Sequence, residues 1–261
     1  MFRSLLTAKT GMDAMQFNVD VISNNLANVS TTGFKRERPV FQDLLYQNLR
    51  QPGAATSQST QLPTGLDVGT GVSPVATARI FMQGNMQLTD GPLDMAINGA
   101  GFFQIAMPDG KTAYTRDGSF QVDSQGTVVT SNGYPLEPAL QVPLGTTKVT
   151  IAKDGTVTAI INNDAAAPAQ LGNIQLATFI NPPGLQAVGG NLYLETAASG
   201  APTVGTPGTN SLGALNQGYV EASNVNVTEE LINMIQAQRA YEMNSRSVRT
   251  SDEMLQKLGT L

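Results

Sequence analysis

The stretch of the chain that decides its fold, residues 5–29, reads LLTAKTGMDAMQFNVDVISNNLANV. A residue about every 3.5 positions keeps an apolar line on one face of a helix, and so long a line is typical of a helix that packs on another helix. We predict a long helix that begins near Ser4, whose hydroxyl can cap the open backbone amides, and that ends before Thr31. The residues of this line, alternately three and four positions apart, are Leu5, Ala8, Met12, Met15, Val19, Ile22, Leu26 and Val29.

A second, weaker line lies near the other end of the chain. Asn226, with Glu229 three residues later, predicts an N-cap, and the helix that follows is expected to continue to about Lys257. Polar residues interrupt its seam, which makes the pattern less regular than in the first helix. The residues with the same spacing are Leu231, Met234, Gln238, Tyr241, Ser245, Val248, Asp252 and Leu255, with Ile235 and Leu258 beside them.

The two helices could pair with each other in a hairpin, or each could pack against helices of neighbouring subunits. Apolar side chains also lie beside both lines, and a two-helix hairpin would leave them in solvent. Because a contiguous exposed apolar surface normally marks an association site, the pattern favours packing between subunits. Gly11 weakens the first helix, and we interpret it as a place where a neighbouring backbone approaches closely. The additional apolar residues are Phe2, Leu6, Phe17, Ile232, Ile235 and Leu258.

The middle of the chain predicts a compact all-β domain over residues 75–219. Short alternating runs are separated by glycine turns such as Asn98-Gly99, Asp109-Gly110 and Asn132-Gly133. Residues 35–74 have almost no apolar period, and we interpret them as an extended connecting segment that is ordered between neighbours. The predicted fold is therefore α+β, with terminal helices (1–34 and 220–261) that form a coiled-coil inner domain. The predicted strands are 102–107, 120–123, 127–130, 148–151, 156–161 and 174–180, and 165–169 and 197–208 are predicted surface loops.

Composition excludes much of the usual enzyme chemistry. The 261 residues include no histidine and no cysteine, which excludes Ser-His and Cys-His nucleophile pairs, disulfides and common zinc ligand sets. The net charge is −5 and the basic residues are scattered, so nucleic acid is not an expected partner. No signal peptide and no membrane-spanning run is evident. Carboxylate and serine pairs such as Asp117 with Ser119 sit in turns, where they bond the local backbone. We expect no catalysis, cofactor or metal.

Two terminal motifs resemble those of the bacterial flagellar rod and hook proteins. Residues 22–35 read ISNNLANVSTTGFK, which is similar to the family signature, and residues 218–242 read GYVEASNVNVTEELINMIQAQRAYE, which resembles its C-terminal partner. Within the family, the length and the segments 62–72, 101–104 and 113–120 are most similar to the distal-rod branch. The signature residues are Asn24, Asn25, Leu26, Ala27, Asn28, Thr32, Gly33, Phe34 and Lys35.

The resemblance implies a structural subunit and not an enzyme. Such subunits leave the cell through the flagellar export apparatus and polymerise helically, with the terminal helices inside and the β domain outside. The implied partners are other copies, proximal rod subunits, the hook protein and the P-ring and L-ring proteins, in a rod that crosses the periplasm to the outer membrane. The rod would transmit motor torque and enclose the export channel. We expect residues 46–72 to wedge between neighbours and keep the tube stiff.

Two other interpretations remain open at this point. One is another rod or hook subunit of the same family, against which the length of the hook subunit and the segment 62–72 argue. The other is a surface adhesin or glycan-active enzyme with a β domain on a helical stalk. That alternative predicts a pocket with convergent carboxylates.

Overall fold

The computed structural model describes residues 2–53, 63–162, 168–209 and 211–259. Helix α1 spans Phe2–Ala27 and helix α2 spans Val227–Gly259, and β-strands occupy the chain between them. This confirms the predicted α+β class with helices at both ends. Neither helix, over its described residues, is apolar enough along its length to cross a membrane.

The predicted helix boundaries are close to those observed. Asn226 caps α2 as predicted, since its Oδ1 accepts hydrogen bonds from the backbone N–H groups of Thr228 (3.0 Å) and Glu229 (3.4 Å). The prediction that Ser4 caps the first helix is wrong, because α1 already begins at Phe2. Val29 follows the end of α1 and so lies outside the helix that it was predicted to extend.

The chain divides into two compact units. Unit 1 comprises Met1–Ala27, Glu37–Ala78 and Asn226–Leu261, and unit 2 comprises Asn28–Arg36 and Arg79–Val225. The predicted inner helical domain ended at residue 34, whereas residues 28–36 belong here to the β-rich unit. The physical reason is that Gly33 and Lys35 bond residues of unit 2, as described below.

Unit 1 contains both helices and four short strands in two ribbons. Strands β1 and β4 form one two-stranded sheet, and β2 pairs antiparallel with β3 in the other. These strands account for the described part of the predicted connecting segment, whose residues 54–62 lie outside the described residues. The bounds are β1 Glu37–Asp43, β2 Gln47–Arg50, β3 Leu66–Val68 and β4 Val72–Arg79, whose last residue belongs to unit 2.

Unit 2 is built around a seven-stranded sheet in the order β16-β17-β8-β7-β15-β18, with β11 also paired to β7. A three-stranded sheet, β12-β13-β14, and the pairs β9–β10, β6–β19 and β5–β20 complete it. The bounds are β5 Met86–Leu88, β6 Met95–Asn98, β7 Phe102–Ala106, β8 Thr112–Thr115, β9 Phe120–Val122, β10 Val128–Thr130, β11 Leu136–Glu137, β12 Thr146–Ile151, β13 Thr156–Ile161, β14 Ala169–Asn173, β15 Leu176–Thr178, β16 Gln186–Gly189, β17 Leu192–Leu194, β18 Thr203–Gly205, β19 Ala214–Gln217 and β20 Tyr219–Glu221.

Most predicted strands are present, with small differences in length. Residues 156–161 form β13 as predicted, whereas the run predicted at 174–180 contains only the three residues of β15. The prediction of a surface loop over 197–208 is wrong for Thr203–Gly205, which pair with β15. This strand could not be predicted because its sequence shows no apolar alternation; it forms through its pairing with β15. Of the other predicted loop, residues 165–167 lie outside the described residues and Ala169 begins β14.

Both faces of the large sheet are buried, because successive side chains of a strand point to opposite faces. Phe103 of β7 lies in the main core, whereas its neighbour Phe102 lies in an aromatic cluster on the other face. The same alternation separates Leu192 from Tyr193 in β17. The aromatic rings meet edge to face, and the centroids of Tyr114 and Phe179 are 4.7 Å apart.

Tyr114 of the aromatic cluster is expected to make the stability of the fold depend on pH. Burial, together with the nearby carboxylates Glu195 and Glu137, raises the pKa of Tyr114 from 10.0 to about 12. The folded chain therefore keeps this proton over a pH range in which an unfolded tyrosine loses it, so this group lowers stability as the pH rises from 10 to 12. In a phenolate absorbance titration, we expect one of the 6 tyrosines to ionise last. Tyr114→Phe should remove that late step, and an unchanged titration curve would refute the assignment.

Candidate functional site

A buried cluster of charges joins three distant segments of unit 2. Lys35 Nζ lies 2.6 Å from Glu221 Oε1, and Arg116 Nη1 lies 3.3 Å from Glu221 Oε2. The relative exposures of these three side chains are only 0%, 4% and 1% for Lys35, Arg116 and Glu221. Each belongs to one of the motifs noted in the sequence, so the motif residues meet in a structural core.

Backbone groups complete the cluster. Lys35 Nζ donates to the carbonyl of Met82 (2.8 Å), and Arg116 Nη2 donates to the carbonyl of Gly99 (2.7 Å). The Glu221 carboxylate also accepts the N–H of Gly84 at 2.8 Å. Burial lowers the pKa of Lys35, and the Glu221 carboxylate opposes that shift. Burial likewise lowers the pKa of Arg116, and the Glu221 carboxylate again opposes the shift. The arrangement fixes loops in place through three buried charged side chains.

The second half of the N-terminal motif, Thr32–Lys35, is anchored in the same unit. Gly33 has φ of +68°, and its N–H donates to the backbone carbonyl of Glu221 at 2.7 Å. Thr32 Oγ1 donates to Asp117 Oδ1 at 3.0 Å, and Asn191 Nδ2 donates to the carbonyl of Thr32 at 2.9 Å. The segment is thus held through its backbone and its side chains. Phe34 is half-buried.

The side chain of Asn224 bridges the backbone of two segments of unit 2, at Arg36 and at 80–82. Its Oδ1 accepts the N–H of Arg36 at 2.7 Å, and its Nδ2 donates to the carbonyls of Ile80 (2.8 Å) and Met82 (3.1 Å). Asn224 lies within the C-terminal motif, but its sequence context predicts no role for it. An asparagine side chain carries one acceptor and two donor hydrogens, which matches these three bonds.

The first half of the motif is anchored in unit 1 through Asn25. This side chain is 1% exposed, its Nδ2 donates to the carbonyl of Glu37 (2.7 Å), and its Oδ1 accepts the N–H of Glu37 (2.9 Å). Nδ2 also lies 3.4 Å from Glu230 Oε2 in the first turn of α2. Asn25 therefore links α1 to both β1 and α2. Of its motif neighbours, Asn24 and Ala27 are exposed and Leu26 and Asn28 are half-buried.

The two helices of unit 1 run antiparallel and meet through small and polar residues. Ser4 Oγ lies 3.4 Å from Ser251 Oγ, and a Cβ built on Gly11 would lie 2.8 Å from Asn244 Nδ2. Together with the Asn25–Glu230 contact, these pairs advance along α1 by seven and then fourteen residues while they go back along α2 by the same numbers. A neighbour does approach Gly11 closely, but it is the side chain of Asn244, so the prediction of a neighbouring backbone is wrong. The helices therefore meet within one chain.

The predicted assembly residues of α1 are mostly half-buried. Leu5, Met12, Val19 and Leu26 lie seven residues apart. Three of them directly follow Ser4, Gly11 and Asn25, the residues of α1 that contact α2. A neighbouring residue on a helix is rotated by about 100°. These four side chains therefore form a flank that the α2 contact does not fully cover. Met15 and Val29 are also half-buried, and Ile22 is buried.

The predicted assembly residues of α2 fall on two faces. Met234, Val248 and Leu255 are half-buried, like the Asn244 and Ser251 positions that meet α1. Leu231 and Ile235, by contrast, are 44% and 50% exposed, and Tyr241 is 40% exposed. Glu230 contacts Asn25 of α1, and by helical rotation Leu231 lies about 100° and Ile235 about 140° around the helix from it, on a side that this contact leaves uncovered. We call this the outward face of α2; its exposed apolar residues are Leu231, Ile232 and Ile235.

The ribbon β2–β3 of unit 1 also exposes apolar side chains. Leu49 of β2 and Leu66 of β3 are each more than half exposed, and so are Leu45 (89%) and Tyr46, which lie directly before β2. A two-stranded ribbon is marginally stable alone in water, so a surface of this kind is expected to gain stability from a partner.

The acidic residues considered in the sequence bond their own turns. Asp117 Oδ1 accepts the N–H of Ser119 (3.1 Å) and also its hydroxyl, and Asp123 Oδ1 accepts the N–H of Ser124 (2.6 Å). These contacts are the local turn bonds that were predicted for them.

Comparison with known proteins places these motifs in one family. Residues 5–35 match the family described as flagella basal body rod protein, residues 96–159 match the flagellar hook protein FlgE/F/G D1 domain, and residues 216–261 match the flagellar basal body rod FlgEFG protein C-terminal family. The chain is 56% identical to the flagellar basal-body rod protein FlgG of Buchnera aphidicola from Acyrthosiphon pisum, over 100% of both chains. It is 49% identical to the FlgG of Caulobacter vibrioides over 99% of both, and 39% identical to that of Bacillus subtilis over 100% of this chain and 99% of the relative.

Proposed function

Because this chain belongs to the FlgG family of flagellar basal-body rod proteins, it is a structural subunit of the flagellar rod, and we propose that it polymerises helically through its terminal helices. The polymer is the distal part of a hollow drive shaft that carries torque to the hook and encloses the export channel. In this proposal the rod passes through the P and L rings and continues from proximal rod subunits. The inner helical domain (1–34 and 220–261), the connecting segment 35–74 and the outer β domain 75–219 remain the proposed division of roles.

The outward face of α2 is the observation that carries this proposal. One side of α2 is occupied by α1 of the same chain, through Ser251, Asn244 and Glu230. The outward face still exposes Leu231 and Ile235, which lie one helical turn apart. Burying a side chain of this size contributes about 1.5–3 kcal/mol. A second copy that covers this face therefore supplies a large part of the association energy.

The flank of α1 supports the same assembly. Its members Leu5, Met12, Val19 and Leu26 repeat every seven residues, which is the spacing that lets two helices stay in contact over many turns. Each is half-buried, so part of its apolar surface remains available. We assign this flank to contacts between subunits, with the coiled-coil packing that the sequence predicts.

The ribbon β2–β3 is proposed to wedge between neighbouring subunits and stiffen the polymer. Its exposed Leu49 and Leu66, with Tyr46 directly before β2, provide the apolar contact surface. A ribbon that projects from one subunit into the next resists their sliding past each other. A polymer that stayed straight and rigid after removal of residues 52–63 would contradict this role.

A charge placed on the outward face of α2 tests the self-assembly proposal. We expect Ile235→Glu to keep the fold, because its side chain is half exposed, and to raise the protein concentration needed for polymerisation at least tenfold, which corresponds to about 1.4 kcal/mol per contact. Gln236→Glu adds the same charge at the next, also exposed, position and should polymerise like the parent chain. Sedimentation over a concentration series measures both. Equal behaviour of the two variants would overturn the proposed interface.

A further inference from the structure

Unit 2 is closed by the last ten residues or so of its own segment. Strand β19 pairs antiparallel with β6, and β20 pairs with β5, so residues 214–221 return to cover strands formed more than 100 positions earlier, as in the register of Leu215 opposite Ile97. Contacts of this sequence separation form only after a long loop closes.

The same residues supply part of the main core. Leu212 and Leu215 belong to the buried cluster that contains Met95 and Ile97, and Val220 is 5% exposed. Without residues 212–221 the inner side chains of β6 would lose packing partners. The sheet formed by the middle of the chain is therefore incomplete as an apolar core until these residues arrive.

The buried charges add a second requirement for closing unit 2, which is the presence of Glu221. Both cations of the cluster pair with the carboxylate of Glu221. Lys35 precedes Glu221 by 186 positions in the sequence, and Arg116 precedes it by 105. Burying two cations before their anion is available costs several kcal/mol per ion. The segments that carry Lys35 and Arg116 must therefore stay hydrated until Glu221 is in place.

We propose that Glu221 is the closing residue of unit 2. Until the chain has been made through residue 221, Lys35 and Arg116 have no carboxylate to pair with, and unit 2 stays open. The device delays the burial of the N-terminal motif and of the main core to one late step. Unit 1 follows the same logic, because α1 meets α2, which begins only at Val227. A chain with this topology stays extended for most of its synthesis and folds when its C-terminal part is present.

Pulse-labelling hydrogen exchange during refolding of the full chain tests the order of events. We expect the amides of β7 and β8 to gain protection in the same kinetic phase as those of β19 and β20. If β7, β8 and β15 become protected in an earlier phase, the middle of the sheet forms without its closing residues and the proposal is overturned.

The role of the carboxylate is tested by its effect on rates. Glu221→Gln should slow the folding phase of unit 2 at least tenfold, because the ion pairs form in the rate-limiting step. A carboxylate that only stabilises the finished fold would instead raise the unfolding rate and leave folding unchanged, which would overturn the proposal. Asp109→Asn removes an exposed charge of the same unit and should leave both rates unchanged. If Glu221→Gln fails to fold, the wild-type order of protection decides alone.

Discussion

Replacing Glu221 by glutamine is expected to lower the free energy of unfolding of unit 2 by about 3–5 kcal/mol. The amide keeps the shape of the side chain but removes the charge that both Lys35 and Arg116 contact. Two buried cations then remain without a carboxylate partner, although the carbonyls of Met82 and Gly99 still accept from them. Denaturant unfolding followed by circular dichroism measures the loss.

Two controls separate buried charge from charge in general. Asp109→Asn, at an exposed turn, should change the stability by less than about 0.5 kcal/mol. Adding Lys35→Met to Glu221→Gln removes one of the stranded cations and should restore part of the loss. If the single and double variants were equally destabilised, the ion pair between Lys35 and Glu221 would not be the cause.

The Glu221→Gln defect should also diminish at alkaline pH. Burial lowers the pKa of Lys35, and Glu221 counteracts that shift in the parent chain. Without the carboxylate, the folded variant releases the lysine proton at a lower pH than the unfolded chain does. Because the unfolded state then binds more protons, the stability of the variant rises with pH in that range. A defect that stayed constant between neutral and alkaline pH would contradict this linkage.

Gly33→Ala should destabilise unit 2 by about 3–4 kcal/mol, combining the cost of a left-handed backbone with that of overpacking. Gly33 has φ of +68°, and a Cβ built there would lie 2.6 Å from the backbone nitrogen of Asp117. Because the clashing atom belongs to the backbone and not to a flexible side chain, the segment itself must move to make room for the added methyl group. Thermal unfolding of the purified variant measures the cost.

Gly110 provides a matched control for the backbone conformation. It has φ of +77°, but no atom lies within 4 Å of a Cβ built on it. Gly110→Ala should therefore cost only about 1 kcal/mol, which is the conformational part alone. If both substitutions had the same effect, the close approach of Asp117 would play no part in the requirement for Gly33.

The sequence predicted the local features of the fold well. The helix spacing and the Asn226 cap located α2, and the turn glycines separated strands such as β13 at the predicted residues. These signals depend on neighbours within a few positions. The seven-stranded order could not be predicted in the same way, because β8 pairs with β17 almost 80 positions later, as in Tyr114 opposite Tyr193.

The site residues show the same limit. Lys35, Arg116 and Glu221 all stood in quoted motifs, but nothing in one sequence indicates that a lysine and a glutamate 186 positions apart share a hydrogen bond. The contact between the helices was also hard to predict, since its polar and close contacts lie at Ser4, Gly11 and Asn25, beside the apolar line. Small residues at a helix contact have no apolar period to mark them.

Thiol labelling of Ile235→Cys, before and after polymerisation, tests the central proposal most directly, because the parent chain has no cysteine. The outward face of α2 predicts that this thiol reacts readily in the monomer and at least tenfold more slowly in the polymer. Asp109→Cys, at an exposed turn of unit 2, serves as the control for reagent access. If the cysteine at position 235 reacted equally fast in both forms, the outward face of α2 would not lie between subunits, and the proposed assembly would be wrong.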